Sequence, residues 1–354
     1  MTGPYRYNAE TMNERRLVFF CKGHERTASS RQRAFMVSAR LRSLGFRSFV
    51  DPLASWDLNG VPLPERLLEC VKLVYRALFL YRGDTLIFQR TVNDPCYFGA
   101  MWLVMLLRRR VFFDLDDALY LNSPRKLKLT GSLASGIIAG SREIARQMEY
   151  ARRVIHIPTV LDHERYSAGQ SGRNGRTFGW IGDAPAHFEN LKLLGDALRS
   201  APPEAPVELV VVGTLGDERI GALFKGIPNV RFIPVKEINW TDEELTIGTV
   251  GRFDFGLMPL NDTPWNRAKC AFKAIQYMAC GVIPISSPVG EALGLIEHGV
   301  SGFFAGAAGD WTAGINKALR LDGETRGRME RCCRDTVSAR YSLAAVCPRY
   351  TELL

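Results

Sequence analysis

Several common signatures are missing from this chain. Its eight cysteines include no C-x-x-C pair, and its five histidines are scattered without metal-ligand spacing. The thiols, several of them in apolar runs, therefore read as reduced and buried, as in a cytosolic protein. Neither G-x-G-x-x-G nor G-x-x-x-x-G-K-[ST] occurs, which argues against a dinucleotide-dependent dehydrogenase and a P-loop nucleotide hydrolase. The N-terminal stretch is polar and has no apolar signal core. The longest candidate membrane stretch, Phe98 to Leu107, is too short to span a bilayer and reads as a buried helix. There is no internal repeat and no low-complexity tract.

Acidic residues are also in short supply. The chain has 37 Asp and Glu against 46 Lys and Arg, a net charge of +9. Such a surface suits phosphate-rich or anionic partners: nucleotides, nucleic acid or an acidic membrane face. The excess lies early, in a basic stretch from Arg15 to Arg47, and recurs at Arg108, Arg109 and Arg110. Contact with an anionic membrane and an ordinary solvated basic face are both open readings of it. No recognised nucleic-acid motif is present, so no nucleic-acid partner is expected.

The chain holds 354 residues, 46% hydrophobic and 23% charged. That is a globular composition and too much chain for one ordinary core. Short β-rich apolar runs alternate with helical patterns. "LVFFC", "RSFV", "TLIFQ", "VFFDL", "GIIAG" and "VIHIP" fill the first half. After a polar, glycine-rich stretch come "TFGWI", "VELVVVG", "VRFIP", "FDFGLMP", "VIPIS" and "GFF". This predicts an α/β protein of two Rossmann-like, doubly wound parallel-sheet domains: residues 1–165 and 176–337, with a linker at 166–175. Ligands of such sheets bind at the carboxyl ends of strands, so two facing sheets predict a cleft site.

The segment "RAKCAFKAIQYMACGVIPISSPVG", Arg267 to Gly290, reads as a helix, a glycine stop, a strand and a small-residue turn. If residues 268–280 are helical, Lys269, Lys273, Gln276 and Cys280 share one face. Arg267, Lys269 and Lys273 would then supply positive charge. The turn containing Pro288, Val289 and Gly290 would add backbone N–H groups at a helix start.

The stretch from Phe253 to Phe304 resembles the donor-binding core of family 4 glycosyltransferases with the GT-B fold. "FGWIGD", "VVVGTLGD" and "DHERY" extend the likeness, and "SSRQRAF" and "VFFDLDDALY" match a bacterial branch. The resemblance implies a metal-independent, retaining transfer of a hexosyl group from a nucleotide sugar to an acceptor hydroxyl. It implies no cofactor beyond a UDP- or GDP-sugar donor, and a glycan, lipid-linked or other hydroxyl acceptor. A role in surface polysaccharide or glycolipid assembly would follow, in the cytoplasm and peripherally at the inner membrane face. The last helix, 338–354, would cross back onto the first domain.

The resemblance also assigns roles. The diphosphate falls to Arg267, Lys269, Lys273, Pro288, Val289 and Gly290; ribose to Gln276; and the nucleobase to backbone near Val235 and Lys236. Gly182 and Asp183 would stand at the cleft mouth, with Gly23 and Arg31 opposite. Asp116 or Asp117 would orient the donor sugar or accept a proton, with Lys273 stabilising the leaving group. Capping and loop hydrogen bonds are the bland alternative for these aspartates. Arg33 is expected near a helix N-terminus facing the cleft, with Ser29 or Ser30 as the N-cap. Trp240 is expected to pack rather than stack on a base.

Two departures stand out. Members of the family often carry two glutamates on the donor helix; here they fall on Ala268 and Gln276. An Arg and a Lys after the first strand of the second domain are absent from "WIGDAPAHFEN", so Arg267, Lys269 and Lys273 are expected to take over that charge. Three rival readings follow: a catalytically silent nucleotide-binding or scaffold protein, a nucleic-acid binder and a nucleotide-sugar epimerase.

Overall fold

The computed structural model describes residues 15–21, 25, 27–52, 61–89, 95–166, 174–306 and 308–354. Gly23 and most of the expected linker lie outside the described residues.

All twelve apolar runs form strands. In the first sheet β1 (Leu17–Cys21), β2 (Ser48–Pro52), β3 (Thr85–Gln89), β4 (Val111–Leu115), β5 (Gly136–Ala139) and β6 (Val154–His156) are ordered β2-β1-β3-β4-β5-β6. The second contains β7 (Thr177–Ile181), β8 (Val207–Val212), β9 (Val230–Val235), β10 (Phe255–Met258), β11 (Ile283–Ser286) and β12 (Phe303–Phe304). Its order is β12-β11-β10-β7-β8-β9. Every pairing is parallel, with β1 in register Leu17↔Thr85 against β3 and β7 in register Phe178↔Phe255 against β10. The run character explains this: β1, β3, β4 and β5 are buried at every position, as strands covered on both faces must be. Each sheet accordingly has a hydrophobic cluster on either side.

Strand order reverses between β1 and β3 in one sheet and between β7 and β10 in the other. These are the two switch points at which such sheets open a crevice beyond their strand ends. The chain closes with the helix Leu343–Thr351, N-capped by Ser342, whose hydroxyl accepts from the Ala345 N–H. Its Val346, Cys347 and Tyr350 are buried against the first sheet, with Tyr350 5.7 Å from Phe19 ring to ring. Two further contacts join the halves. Ala268 is fully buried in a cluster whose other buried members come from the first sheet and its helices, with Trp265 packed beside it, and Glu291 accepts from the Arg142 backbone N–H at 2.5 Å.

Several expectations need correction. The segment 268–280 is not one helix. A four-residue helix, Pro264–Arg267, stops, Ala271 adopts a left-handed conformation (φ 52°), and a new helix runs Phe272–Ala279. Cys280 is buried in the core rather than continuing the lysine stripe. Ser29 and Ser30 lie inside their helix; Thr27 holds the N-cap position. The apolar stretch Phe98–Leu107 forms part of the helix Pro95–Leu107, but only one side of that helix is buried. Several arginines of the early basic stretch and of the later Arg108–Arg110 run are structural ties. Arg16 pairs with Asp84, Arg108 donates to the carbonyls of Ala77, Tyr81 and Asp84, and Arg110 donates to the Leu354 carbonyl.

Candidate active site

A recess of about 480 Å³ opens at the second sheet's switch point. Gly182 and Asp183, just beyond β7, and Pro259 and Leu260, just beyond β10, line its floor. The helix Phe272–Ala279 contributes Phe272, Lys273 and Gln276, and the connector before it contributes Lys269. Ala28, Arg31, Gln32 and Asp117 close it from the first sheet's side. The left-handed turn at Ala271 redirects the chain, so Lys269 and Lys273 reach one recess without sharing a helix.

Three cations therefore converge. Neither lysine forms an ion pair among the described residues. Lys273 lies with its Nζ 5.3 Å from the centroid of Trp180, and a side chain at Gly182 would come within 2.7 Å of its Cε. Gly182 (φ 150°) therefore leaves room for the lysine stem as well as meeting a backbone requirement. Burial and the neighbouring Lys269 lower the Lys273 pKa to about 8, against a weaker opposing pull from Asp183. Arg31 begins a π-helical turn, Arg31–Phe35. Its Nη1 donates to the Glu25 carbonyl at 3.4 Å, and its buried Nε has no partner among the described residues. A recess in which cations converge without forming an ion pair among the described residues suits an incoming anion.

A fourth group was not foreseen. His187 lines the recess edge-on to Trp180, and burial, then Lys273 and Lys269, depress its pKa to about 3. The imidazole is thus neutral. Its tautomer follows from the neighbours. Asn190 Oδ1 accepts from the Asn261 N–H at 2.9 Å and from Asn266 Nδ2 at 3.0 Å. That leaves Asn190 Nδ2 to donate to His187 Nδ1 at 3.3 Å, so the ring proton sits on Nε2. No sequence cue marked His187, because its partners lie far along the chain.

The remaining expected residues divide. Gln276 lines the recess, with its Nε2 3.3 Å from the Tyr166 hydroxyl. Trp240, expected to pack, stands in the recess wall at 38% exposure. Asp183 accepts from the Ala186 N–H, and Asp117 faces the recess. Asp116 is buried, with Oδ1 unpartnered among the described residues.

Other expected residues are elsewhere. Arg267, Pro288, Val289 and Gly290 line a separate recess of about 450 Å³ with Arg142, Arg146, Glu143 and Asp262. There Arg267 is engaged by Asp262 at 2.5 Å. Gly290 is required by its φ of 60° and by the Arg267 carbonyl, which a Cβ would meet at 2.5 Å. The helix after it, Ala292–Leu295, has only four residues. Val235 and Lys236 do not line the main recess: the Val235 carbonyl accepts from the N–H groups of Gly213 and Thr214, and the Lys236 carbonyl accepts from that of Leu215. Arg33 does not face the cleft. It is buried in a forked ion pair with Asp114, Nε to Oδ2 at 2.9 Å, which also removes Asp114 from any metal-binding aspartate set.

Comparisons with known proteins bear on the fold and on the second half of the chain. Residues 175–321 match the family model described as glycosyl transferases group 1. The fold is GT-B. A glycosyltransferase from Rickettsia africae aligns with a TM-score of 0.69 at 12% identity, over 96% of this chain and 98% of that one. Sucrose-phosphate synthase from Thermosynechococcus elongatus aligns at 0.69 and 14% identity, also over 96% and 98%. Anabaena Alr3699/HepE in complex with UDP-glucose aligns at 0.67 and 18% identity, over 95% and 98%. No curated protein matches the chain. The group 1 match covers β7 to β12 and so contains Lys269, Lys273, His187 and Gln276, whereas Arg31 and Asp117 come from outside it.

Proposed function

We propose that this chain transfers a sugar from a nucleotide-sugar donor to an acceptor hydroxyl. The observation that carries the reading is the convergence of Lys269, Lys273 and Arg31 in one recess at the switch point of the group 1 domain. The UDP-glucose complex of Alr3699/HepE supports a UDP-sugar as the first donor to try.

In the proposed reaction the bond between the anomeric carbon and the diphosphate oxygen breaks, and the acceptor oxygen takes its place. Negative charge grows on the departing diphosphate, and Lys269, Lys273 and Arg31 stabilise it without a metal. The His187 Nε2–H adds a neutral donor to the same wall. Gln276 holds the ribose, and the half-exposed Trp240 is the surface against which a base would stack. Transfer proceeds with retention: a leaving phosphate oxygen takes the acceptor's proton on the face from which the diphosphate departs, so no protein nucleophile is needed. Asp117, at the recess from the first sheet, orients the donor sugar. The product would be a surface polysaccharide or glycolipid, made by a cytoplasmic, family 4 enzyme of bacterial type.

A second reading has its own support. Ala268 is buried in apolar surroundings where related chains often carry a sugar-contacting carboxylate, and Arg267 is tied to Asp262. A protein that binds the nucleotide and does not turn it over fits those two facts. One experiment decides: a thermal-shift panel of UDP-, GDP- and ADP-sugars, followed by labelled-donor product analysis. Stabilisation by one donor with product formation supports transfer. Stabilisation without turnover of any donor sinks it in favour of the silent reading.

A further inference from the structure

Glu291 is buried to 4% exposure where the two halves of the molecule meet. It follows the turn of Pro288, Val289 and Gly290 in the second half, and its carboxylate bonds reach into the first. Oε1 accepts from the Arg142 backbone N–H at 2.5 Å, and Oε2 accepts from Arg142 Nη1 at 3.4 Å. Arg142 opens the helix Arg142–Gln147, and the N–H of a first helical residue has no partner within its own helix. Ser141 caps that helix by accepting from the Ile144 N–H, so the Arg142 N–H is left for Glu291. The arginine side chain has its own seat across the gap. A Cβ at Gly294 would stand 1.9 Å from Arg142 Nη1, so glycine is what leaves room for the guanidinium. His156 Nε2, from β6, lies 4.0 Å from Glu291 Oε2. Burial, then Arg142 and Arg349, lower the His156 pKa to about 4, so that ring is neutral and Arg142 is the ion-pair partner.

A buried carboxylate is costly unless it is paired. Both bonds to Glu291 come from the opposite half, so its burial belongs to this one arrangement of the halves. The contact lies beside the place where the chain returns to the first half. Arg340 Nη2 donates to the Gly294 carbonyl at 2.9 Å, and the Leu161 N–H donates to the Tyr341 carbonyl at 3.2 Å. Passes of the chain tied side by side in this way can serve as a hinge, and side-chain contacts must then set the angle between the halves. Glu291 is also joined to the main recess. It adjoins Gly290, which packs on the Arg267 carbonyl two residues before Lys269. One contact therefore links the segment that carries Lys269 to the half that carries Arg31 and Asp117.

We propose that Glu291 is a positioning residue: acting through Arg142, it fixes the angle between the halves that sets Arg31 and Asp117 over Lys269 and Lys273. This role rests on the transfer reading, so the tie itself is measured apart from turnover. Hydrogen–deuterium exchange of the full chain follows the segment containing Arg142, and small-angle X-ray scattering follows the spread of the halves. In Glu291→Ala the Arg142 segment exchanges about tenfold faster, and the radius of gyration rises. Turnover of labelled UDP-glucose loses about tenfold in kcat, because small misplacements of reacting groups are costly. UDP affinity, held mainly by Lys269, Lys273 and Gln276 of the second half, changes by less than about threefold. Glu291→Gln keeps an acceptor for the Arg142 N–H and loses the charge, so its effects fall between wild type and alanine. It is also the variant to read if alanine unfolds the protein. Unchanged exchange at Arg142 in a folded alanine variant overturns the tie. Faster exchange with kcat and UDP affinity lost in equal measure, or with both unchanged, overturns the positioning role. A wild type that turns over no donor removes the transfer reading, and the tie then stands or falls on exchange and scattering alone.

Discussion

Two groups of cations in this chain behave oppositely. Lys269 and Lys273 enter a recess without a carboxylate partner among the described residues. Arg267, two residues before Lys269, is neutralised by Asp262 in a different recess. Arg33, on the first sheet's side, is neutralised by a buried Asp114. The comparison separates two uses of positive charge. A cation whose partner is built into the protein holds the fold; one that forms no ion pair in a recess is available to an incoming anion.

The largest effect expected from breaking this contrast is on stability. Arg33→Ala would strand Asp114 in the interior, where removing one member of a buried pair costs about 3–5 kcal/mol. The Arg33 Nη1 bonds to the Ile157 carbonyl and the Thr159 hydroxyl would also go. Chemical denaturation should show a lower midpoint with the same slope. An Arg33→Ala protein as stable as the wild type would contradict a structural role.

Lys273→Ala should do the reverse, leaving stability near the wild-type value and weakening nucleoside diphosphate binding. The lost charge-assisted hydrogen bond is worth about 2 kcal/mol, roughly thirtyfold in affinity. Titration calorimetry with UDP and GDP reads it, and unchanged affinity for both removes Lys273 from the site.

The pH dependence sharpens the same point. Lys273 has a folded pKa lowered to about 8, below the ordinary lysine value, so the unliganded protein loses this proton before the unfolded chain does. Between about 8 and the ordinary lysine range the unfolded state holds more protons, and this group makes stability rise with pH. Diphosphate binding needs the charged form, so affinity should fall as pH rises through about 8. Lys273→Arg should flatten that decline, since arginine keeps its charge. An equally steep decline in the arginine variant would place the titrating group elsewhere.

How much of this was legible beforehand follows from range along the chain. The strands could be read because each is a local apolar run, and parallel pairing follows from helical segments between them. Lys269, Lys273 and Gln276 could be placed in one recess from spacing, although the helix assumed for them breaks at Ala271. Arg267 could not be separated from the lysines, because its partner Asp262 lies in a connector with no periodicity. Arg33 and Asp114 are 81 residues apart, and no local pattern announces their pairing. His187 carries no local cue for the same reason: Asn261 and Asn266, which orient Asn190 and through it the ring, come from beyond another strand. The apolar helix Pro95–Leu107 reads as buried from composition, which cannot reveal which side the fold leaves uncovered.

The smallest expected effect is the most discriminating. Arg267 was grouped with the lysines on sequence, and its side chain is about half exposed and ion-paired to Asp262. Exposed pairs of this kind contribute little to stability, so Arg267→Ala should leave the denaturation midpoint nearly unchanged. If the recess of Lys269 and Lys273 is the diphosphate site, Arg267→Ala should also leave UDP or GDP affinity within about twofold, since screening by salt weakens a charge that faces solvent. The pair Arg267→Ala and Lys273→Ala, measured side by side, then tests the division itself. Equal losses from both would mean that the Asp262 contact opens when nucleotide binds and that the two recesses act as one. A loss confined to Lys273 assigns the anion to the switch-point recess and leaves Arg267 as a surface tie.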